Sequence, residues 1–175
     1  MKRTAVVVLA VLLGGIVTVD AAAAQGPYCG QRWGSAPEDL STYSTGAVVD
    51  VRAGRHTCFD RLVLDVDGDL AGYAVRYADV VRQDGSGDLV PLRGGARLQV
   101  TATAPVVPTD SFFVGAGELV DVGRYRTFRQ VSWVGSFEAR TTVGLGVRAR
   151  LPFRTFILDG PGDTSRLVVD VAHRW

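Results

Sequence analysis

Arginines dominate the stretch between residues 122 and 158, which holds seven of them against a single acidic residue, Glu138. Aromatic residues are interleaved with them, so guanidinium groups that pair with carboxylates or phosphates stand beside rings that can stack on a sugar. On an extended strand Arg129 and Trp133 share one face. In the alternative interpretation Trp133 and Phe137 belong to the hydrophobic core. The candidate ligand-binding residues are Arg126, Arg129, Trp133 and Arg140.

A second kind of chemistry would use a carboxylate and a histidine as general acid and base. The candidates are Asp60 or Asp65 acting with His56 or His173, and a small hydrolase of this kind needs a cleft that joins them within about 4 to 6 Å. The sequence contains no Gly-x-Ser-x-Gly nucleophile motif. Because carboxylates at turns and strand ends are usually solvated or paired, we assign no catalytic residue and predict that the protein is not an enzyme.

The spacing of possible metal ligands does not indicate a metal site. The two cysteines and two histidines show neither the Cys-x-x-Cys nor the His-x-x-x-His spacing of zinc sites. Residues 65–69, Asp-Val-Asp-Gly-Asp, look like the start of a calcium loop, but the twelfth position is Arg76 where a bidentate glutamate is needed. We expect no metal and no cofactor.

Residues 1–24 have the pattern of a secretory signal peptide. Lys2 and Arg3 precede an uncharged stretch, and the four alanines at 21–24 offer a cleavage site. The alternative is an uncleaved membrane anchor, although two glycines interrupt the stretch and it is shorter than the roughly 20 apolar residues of a membrane span. The pattern predicts a protein that is secreted or held in the cell envelope.

Cys29 and Cys58 are the only cysteines, and an exported protein folds in an oxidising compartment. We predict that they form one disulfide. Residues 25–44 are rich in Gly, Pro, Ser and Thr without a hydrophobic period, which predicts a flexible N-terminal tether. The domain itself is expected to cover residues 45–175.

A repeated hexapeptide indicates which elements must position these side chains. Arg61–Val66 returns with one residue changed as Arg166–Val171, and the alternating apolar residues of both copies fit a strand. If the copies pair antiparallel, Arg61 faces Asp170 and Arg166 faces Asp65. Opposed charges contribute about 0.2 to 1 kcal/mol per pair. We therefore predict antiparallel neighbours, the alternative being one copy in each sheet of a pseudo-symmetric sandwich.

Glycines and prolines divide the domain into short strands, with Gly135 and Gly144 among the predicted turns. No stretch beyond residue 24 has ten residues of helical period. Eight to ten short strands are typical of all-β folds, and we predict an antiparallel β-sandwich. The predicted strands are 46–52, 61–67, 72–82, 89–92, 96–104, 125–134, 137–143, 146–151, 153–158 and 166–173.

Several motifs of the sequence resemble those of a known family, the AMIN-like domain proteins of the actinobacterial cell envelope. The resemblance covers about residues 45–175, and it implies a β-sandwich, because the AMIN domain is a β-sandwich that directs cell-wall amidases and secretins to the envelope and binds peptidoglycan. It implies no catalytic residues. No amidase or secretin module follows the motifs, so we do not expect the domain to deliver a catalytic module of its own chain. The motifs that carry the resemblance are residues 54–65, 125–133, 144–154 and 165–173.

These observations support one main hypothesis and two alternatives. In the main hypothesis the chain is an exported, non-enzymatic module that binds peptidoglycan or an anionic wall polymer through residues 122–158, with no nucleic-acid partner and no lasting membrane anchor. The first alternative is an interaction module that docks an envelope enzyme in trans. The second alternative is the small hydrolase.

Overall fold

The structure is a computed structural model that describes residues 27–106 and 118–175. The predicted signal peptide, residues 1–24, lies outside the described residues. Apart from one short 3-10 turn, Tyr28–Gly30, every regular element described is a strand. The strands are β1 (Glu38–Leu40), β2 (Ala47–Arg55), β3 (Phe59–Asp67), β4 (Tyr73–Tyr77), β5 (Val81–Arg82), β6 (Leu89–Val90), β7 (Ala96–Ala102), β8 (Glu118–Val120), β9 (Phe128–Phe137), β10 (Arg140–Val147), β11 (Phe153–Asp159) and β12 (Thr164–Ala172).

Two antiparallel sheets pack face to face, which confirms the predicted all-β sandwich. The larger sheet has the order β1-β4-β7-β10-β9-β8 and the smaller one β11-β12-β3-β2, while β5 and β6 form a separate hairpin. The described strands outnumber the eight to ten predicted because the strand expected at 72–82 is divided and because β1 and β8 have only three residues each, too few for a periodic pattern to be visible in the sequence.

The core lies between the sheets and is built from the apolar faces of strands in which inward-facing and outward-facing residues alternate. The repeated hexapeptides supply much of the smaller sheet's share of it, since every second side chain of each copy is buried against the larger sheet. Burying one such side chain stabilises the fold by about 1.5 to 3 kcal/mol. The central residues, all at most 1 % exposed, are Leu62, Leu64, Val66, Leu167, Val169 and Val171 from the smaller sheet, and Leu98, Val100, Val131, Val143 and Leu145 from the larger.

The two hexapeptides pair antiparallel in the register predicted from their charges. Arg61 lies opposite Asp170 and Arg166 opposite Asp65. Arg61 donates two hydrogen bonds to the Asp170 carboxylate, at 2.6 and 2.9 Å. The second pair does not form an ion pair. Asp65 is instead bonded by Arg52 from the neighbouring strand β2, at 2.5 and 2.9 Å.

The predicted turns at Gly135 and Gly144 are wrong, because both residues lie inside strands. The chain reverses at Glu138 and Ala139, which adopt left-handed φ angles of 48° and 58°. Gly144 leaves room for Leu92, since a Cβ there would stand 2.9 Å from a methyl carbon of that side chain. Glycine in this hairpin therefore marks the close approach of another segment and not a reversal of the chain.

Other predicted boundaries also shifted. The single strand expected at 72–82 is interrupted, giving β4 and β5. Residues 146–151 are not a separate strand, because Gly146 and Val147 are the last residues of β10. The residues that follow bend away, and the N–H of Leu151 donates to the hydroxyl of Tyr77. A long-range side-chain contact of this kind leaves no periodic trace in the sequence.

The segment expected to be a flexible tether is attached to both sheets over its described part. Strand β1 pairs with β4 in the larger sheet, and Gly34 bridges to Phe153 at the start of β11. The predicted disulfide between Cys29 and Cys58 is confirmed. The composition of this segment gave no indication that Trp33 anchors it to the fold, where its ring lies 5.9 Å from that of Phe59.

Candidate functional site

Four parts of the chain meet at one end of the sandwich and form a cleft. They are the turn between β2 and β3, the loop before β9, the chain just after β10, and the C-terminus after β12, and the N-terminal segment at Tyr28 and Cys29 borders them on one side. The cleft has two adjoining halves of about 680 and 620 Å³ that share Thr57, Arg126 and His173. We call it the basic cleft. Its remaining lining residues are Ala53, Gly54, Arg55, His56, Asp60, Arg124 and Tyr125 in one half and Tyr28, Cys29, Cys58, Arg148 and Arg174 in the other.

The basic cleft is strongly electropositive. Five exposed arginines line it, whereas Asp60 is the only acidic residue in its lining. A concave surface lined by one sign of charge focuses its field and raises the local concentration of the opposite ion. The arginines are Arg55, Arg124, Arg126, Arg148 and Arg174.

Asp60 is buried beneath the cleft and holds its floor in place. One of its carboxylate oxygens accepts hydrogen bonds from the backbone N–H of Thr127 at 2.6 Å and of Phe128 at 3.2 Å. The other oxygen lies 3.1 Å from Nε2 of His173. These contacts tie the loop before β9 to strand β3 and to the C-terminus, so they position Tyr125 and Arg126 at the cleft wall. They also occupy both oxygens of Asp60, the one carboxylate that could otherwise neutralise the charge of the cleft arginines.

His173 completes this floor. It is 8 % exposed, and its backbone N–H donates to the carbonyl of Cys58 at 2.9 Å while its own carbonyl accepts from Arg148. Its second ring nitrogen, Nδ1, is buried without a hydrogen-bond partner among the described residues. The histidine therefore links three of the four segments that form the cleft.

The approach of Asp60 to His173 meets the distance expected for the hydrolase alternative, but their burial argues against catalysis. Asp60 is 0 % exposed, and Nδ1 of His173 is shielded from solvent. A general base must reach the proton that it removes, directly or through one water. Of the other candidates, His56 lines the cleft and stacks on Phe59 with 4.5 Å between ring centroids, whereas Asp65 pairs with Arg52 outside the cleft.

Tyr125 brings an aromatic ring to the same cleft. It is partly buried and stacks on Phe128 with 5.7 Å between ring centroids. Its pKa is raised, chiefly by burial and further by the negative charges of Asp60 and Asp121, while Arg55 opposes the shift. The hydroxyl therefore stays protonated in the physiological range and can donate a hydrogen bond.

The structure does not bring the four predicted ligand-binding residues together. Arg126 lines both halves of the basic cleft. Arg129 turns back and donates to the carbonyls of Tyr125, Arg126 and Phe128, so it braces the loop. Trp133 is half-buried against the core, as in the alternative interpretation. Arg140 stands at the far end of the β9–β10 hairpin, and a strand as long as β9 spans about 30 Å.

The arginine-rich stretch contributes only part of the basic cleft. Arg124 and Arg148 join Arg126 there, whereas Arg150 lies over the ring of Tyr77 at 4.6 Å and Arg154 pairs with Asp170.

Sequence reasoning missed Arg55 and Arg174, although a signal for Arg174 was present. Extending the predicted register of the hexapeptides by three residues sets Cys58 opposite His173 and places Arg174 beside Thr57. The structure has this arrangement, since the carbonyl of Cys58 bonds the N–H of His173. Nothing in the sequence indicated that the loop before β9 would reach the same place.

The described part of the chain shows no group of three His, Cys, Asp or Glu side chains placed to hold a metal ion. In residues 27–106 and 118–175 no helix has the length and apolar character needed to cross a membrane.

Comparison with known proteins matches one family model. The model is described as the AMIN-like domain, and it matches residues 46–173, which include most of the strands and most of the lining of the basic cleft. No curated protein and no solved structure shows significant similarity to the chain.

Proposed function

The chain belongs to the AMIN-like domain family, and from this membership and the charge of the basic cleft we propose that it is a non-enzymatic module of the cell envelope that binds peptidoglycan or an anionic wall polymer. The family suggests an envelope-related role. The observation that carries the finer proposal is the convergence of five exposed arginines on one cleft. We also propose that the protein is exported, with residues 1–24 acting as its signal peptide.

The geometry of the cleft suits a polymer better than a single small anion. Its two halves are each large enough for a small ligand and are continuous at Arg126. Arginine forks pair with carboxylates or phosphates, two at a time in the favourable geometry. Tyr125 adds a ring and a hydroxyl to this surface, which supports contact with a sugar next to an anionic group.

A non-enzymatic role is supported by the arrangement of the acid–base residues. The Asp60–His173 pair stabilises the floor of the cleft, and its polar atoms are covered. The exposed groups in the cleft are guanidinium, imidazole, hydroxyl and aromatic groups, and no exposed carboxylate lies among them.

A sedimentation assay with purified sacculi tests this proposal. The cleft variant carries Arg55→Ala, Arg124→Ala and Arg126→Ala, whose side chains form no ion pair within the described residues. A charge-matched control carries Arg32→Ala, Arg76→Ala and Arg82→Ala, three exposed arginines outside the cleft. We expect the cleft variant to lose at least about tenfold in affinity, equivalent to about 1.4 kcal/mol, and the control to bind nearly as the wild type does.

Two further arms identify the ligand. Sacculi stripped of their anionic polymers separate binding to peptidoglycan from binding to the polymer, and added salt must weaken either interaction because exposed charges are screened. If wild-type protein ignores both kinds of sacculi, the proposal is wrong and docking to an envelope enzyme becomes the preferred alternative. If the cleft variant binds as well as the control, the assigned surface is wrong.

A further inference from the structure

A second concave surface lies at the opposite end of the larger sheet. It is a groove of about 460 Å³ bordered by β1 and the loop after it, the start of β4, and the turn between β9 and β10. Because Val147 pairs with Phe128 near the basic cleft and Arg140 pairs with Phe137 at this turn, the groove and the cleft are separated by the length of β10, about 25 Å. We call it the tyrosine groove. Its lining residues are Asp39, Leu40, Ser41, Thr42, Tyr43, Tyr73, Ala74, Thr103, Glu138, Ala139 and Arg140.

Tyr43 is the most unusual of these residues, because its side chain is exposed and its backbone is held on both sides. The residue is 93 % exposed. The carbonyl of the preceding Thr42 accepts a hydrogen bond from Thr103 at 2.8 Å, and the hydroxyl of the following Ser44 lies 3.0 Å from that of Thr103. A large aromatic side chain on an anchored loop loses little entropy on binding a ligand.

A glycine secures this loop from below. A Cβ at Gly72 would stand 2.1 Å from the carbonyl oxygen of Thr42, so only glycine allows the loop to lie so close to strand β4. The packing therefore keeps Tyr43 above the groove although nothing covers its ring in the described part of the chain.

A second tyrosine and three charged groups supply the polar side of the groove. Tyr73 is partly buried, and its pKa is raised by burial first and then by the charges of Glu38 and Asp39, so its hydroxyl remains a donor. Among the described residues, the side chains of Asp39, Glu138 and Arg140 take part in no hydrogen bond or ion pair that would occupy them. Two carboxylates and one guanidinium line the groove, which gives it a slightly negative charge, unlike the basic cleft.

The turn that carries Glu138 is strained. Glu138 and Ala139 both have left-handed φ angles, which cost non-glycine residues free energy that a glycine would avoid. The angles are those of the two-residue turn that joins β9 to β10, and since neither residue is buried, packing in the core does not explain why Glu and Ala stand there in place of glycine. Strain of this kind is often found where a side chain serves binding.

We propose that the tyrosine groove binds an uncharged saccharide chain. The rings of Tyr43 and Tyr73 offer apolar faces to the C–H face of a pyranose, the carboxylates of Asp39 and Glu138 accept hydrogen bonds from hydroxyls, and Arg140 donates to ring or amide oxygens. The slightly negative groove disfavours the anionic ligand proposed for the basic cleft. The protein then has two sites at opposite ends, and one molecule can contact two chains or two parts of one chain.

Calorimetric titration of the purified protein with chitotetraose and with cellotetraose, two neutral tetrasaccharides, tests this site. We expect at least one of them to bind with a Kd near 1 mM. Tyr43→Ala should raise this Kd about tenfold and Glu138→Gln about fivefold. Trp175→Ala removes another exposed aromatic residue, 70 % exposed and outside the groove, and should leave the Kd unchanged.

The outcomes separate this site from the basic cleft. The Arg55, Arg124 and Arg126 triple alanine variant should bind the tetrasaccharide as the wild type does, and Tyr43→Ala should bind sacculi through its unaltered arginines in the presence of excess tetrasaccharide. The proposal is overturned if neither sugar binds at about 10 mM, if Tyr43→Ala binds with wild-type affinity, or if Trp175→Ala weakens binding as much as Tyr43→Ala does. Tyr43 is exposed, so its substitution should not unfold the protein, and a thermal melt verifies this.

Discussion

At the scale of single residues, the two aspartates of the repeated hexapeptide show how the environment of a side chain changes its contribution to stability. Asp170 is fully buried and accepts hydrogen bonds from both Arg61 and Arg154. Asp65 is partly exposed and pairs with Arg52, whose side chain is 50 % exposed. A buried carboxylate that neutralises two arginines cannot be removed without leaving their charges uncompensated, whereas an exposed pair adds little.

We therefore expect Asp170→Asn to destabilise the protein by about 3 kcal/mol. Asp65→Asn, the same substitution at the equivalent position of the other copy, should cost less than about 1 kcal/mol. Chemical denaturation of both variants measures the two free energies of unfolding. Equal losses would show that burial does not distinguish the two copies.

A second prediction at the scale of single residues concerns Tyr77, whose hydroxyl connects strand β4 to Leu151, a residue distant in the sequence. It donates to the carbonyl of Leu151 at 2.6 Å and accepts from the N–H of Leu151 at 3.0 Å. Burial raises the pKa of Tyr77 to about 12, although the hydrogen bond to Leu151 and the charge of Arg150 act in the opposite direction.

Since the folded pKa lies above the unfolded value near 10, the protonated phenol favours the folded state. This contribution is complete below pH 10 and is lost as the pH rises through about 12. Tyr77→Phe should cost about 1 to 2 kcal/mol at neutral pH, and its deficit relative to the wild type should shrink between pH 10 and 12. A deficit that stays constant over this interval would contradict the assignment.

At the scale of elements, the N-terminal segment owes its place to a few anchors. The disulfide joins it to the turn between β2 and β3, Trp33 packs near Phe59, and Arg174 lies over the ring of Tyr28 at 4.7 Å. Tyr28, Cys29 and Cys58 also line one half of the basic cleft. The segment is thus part of the binding surface.

Removing the disulfide should affect both stability and binding. In the Cys29→Ser, Cys58→Ser double variant the free energy of unfolding should fall by about 3 to 4 kcal/mol, as expected for a loop closed by residues 29 apart in sequence. Hydrogen exchange should show the amide of Gly34, which bonds Phe153 at 3.1 Å, losing its protection. Full protection of Gly34 in the double variant would mean that the other anchors suffice.

The β9–β10 turn gives a prediction of opposite sign. Ala139 has a φ of 58°, and glycine adopts this conformation without the steric cost of a Cβ. Ala139→Gly should therefore raise the free energy of unfolding by about 0.5 to 1 kcal/mol, which a denaturant titration can resolve. Destabilisation would argue that the turn is not strained.

The pairing of β3 with β12 was the most predictable part of this fold, and the positions of turns at glycines the least predictable. Charge complementarity between two copies of one hexapeptide was enough to give the register of β3 and β12. Gly144 was wrongly predicted as a turn because it makes room for Leu92, a contact more than 50 residues distant. The same applies to the N-terminal segment, whose polar composition hid the packing of Trp33.

At the scale of the whole molecule, charge is distributed by folding and not by position in the sequence. The basic stretch at 122–158 predicted a basic surface, and three of its arginines do reach the cleft, Arg124, Arg126 and Arg148. Arg140 lies at the other end of the larger sheet, because β9 and β10 extend over about 25 to 30 Å, and Arg154 pairs with Asp170 on the smaller sheet. Arg55 and Arg174 arrive from distant segments, so no local count of charges could identify them.

The resulting molecule has the basic cleft at one end and the slightly negative tyrosine groove at the other. The core between them contains the hexapeptide strands and no exposed functional group. This separation explains why substitutions at one end should leave binding at the other unchanged, which makes the two sites testable independently.

The most direct test of the basic cleft is an amide chemical-shift titration of the ¹⁵N-labelled protein with soluble fragments of digested sacculi and with poly(glycerol phosphate). We expect at least one of these ligands to shift the amides of residues 55–58, 124–128 and 174, and we expect these shifts to disappear in the Arg55, Arg124 and Arg126 triple alanine variant. Shifts that are absent from these residues with both ligands, or that persist in the triple variant, would contradict this expectation.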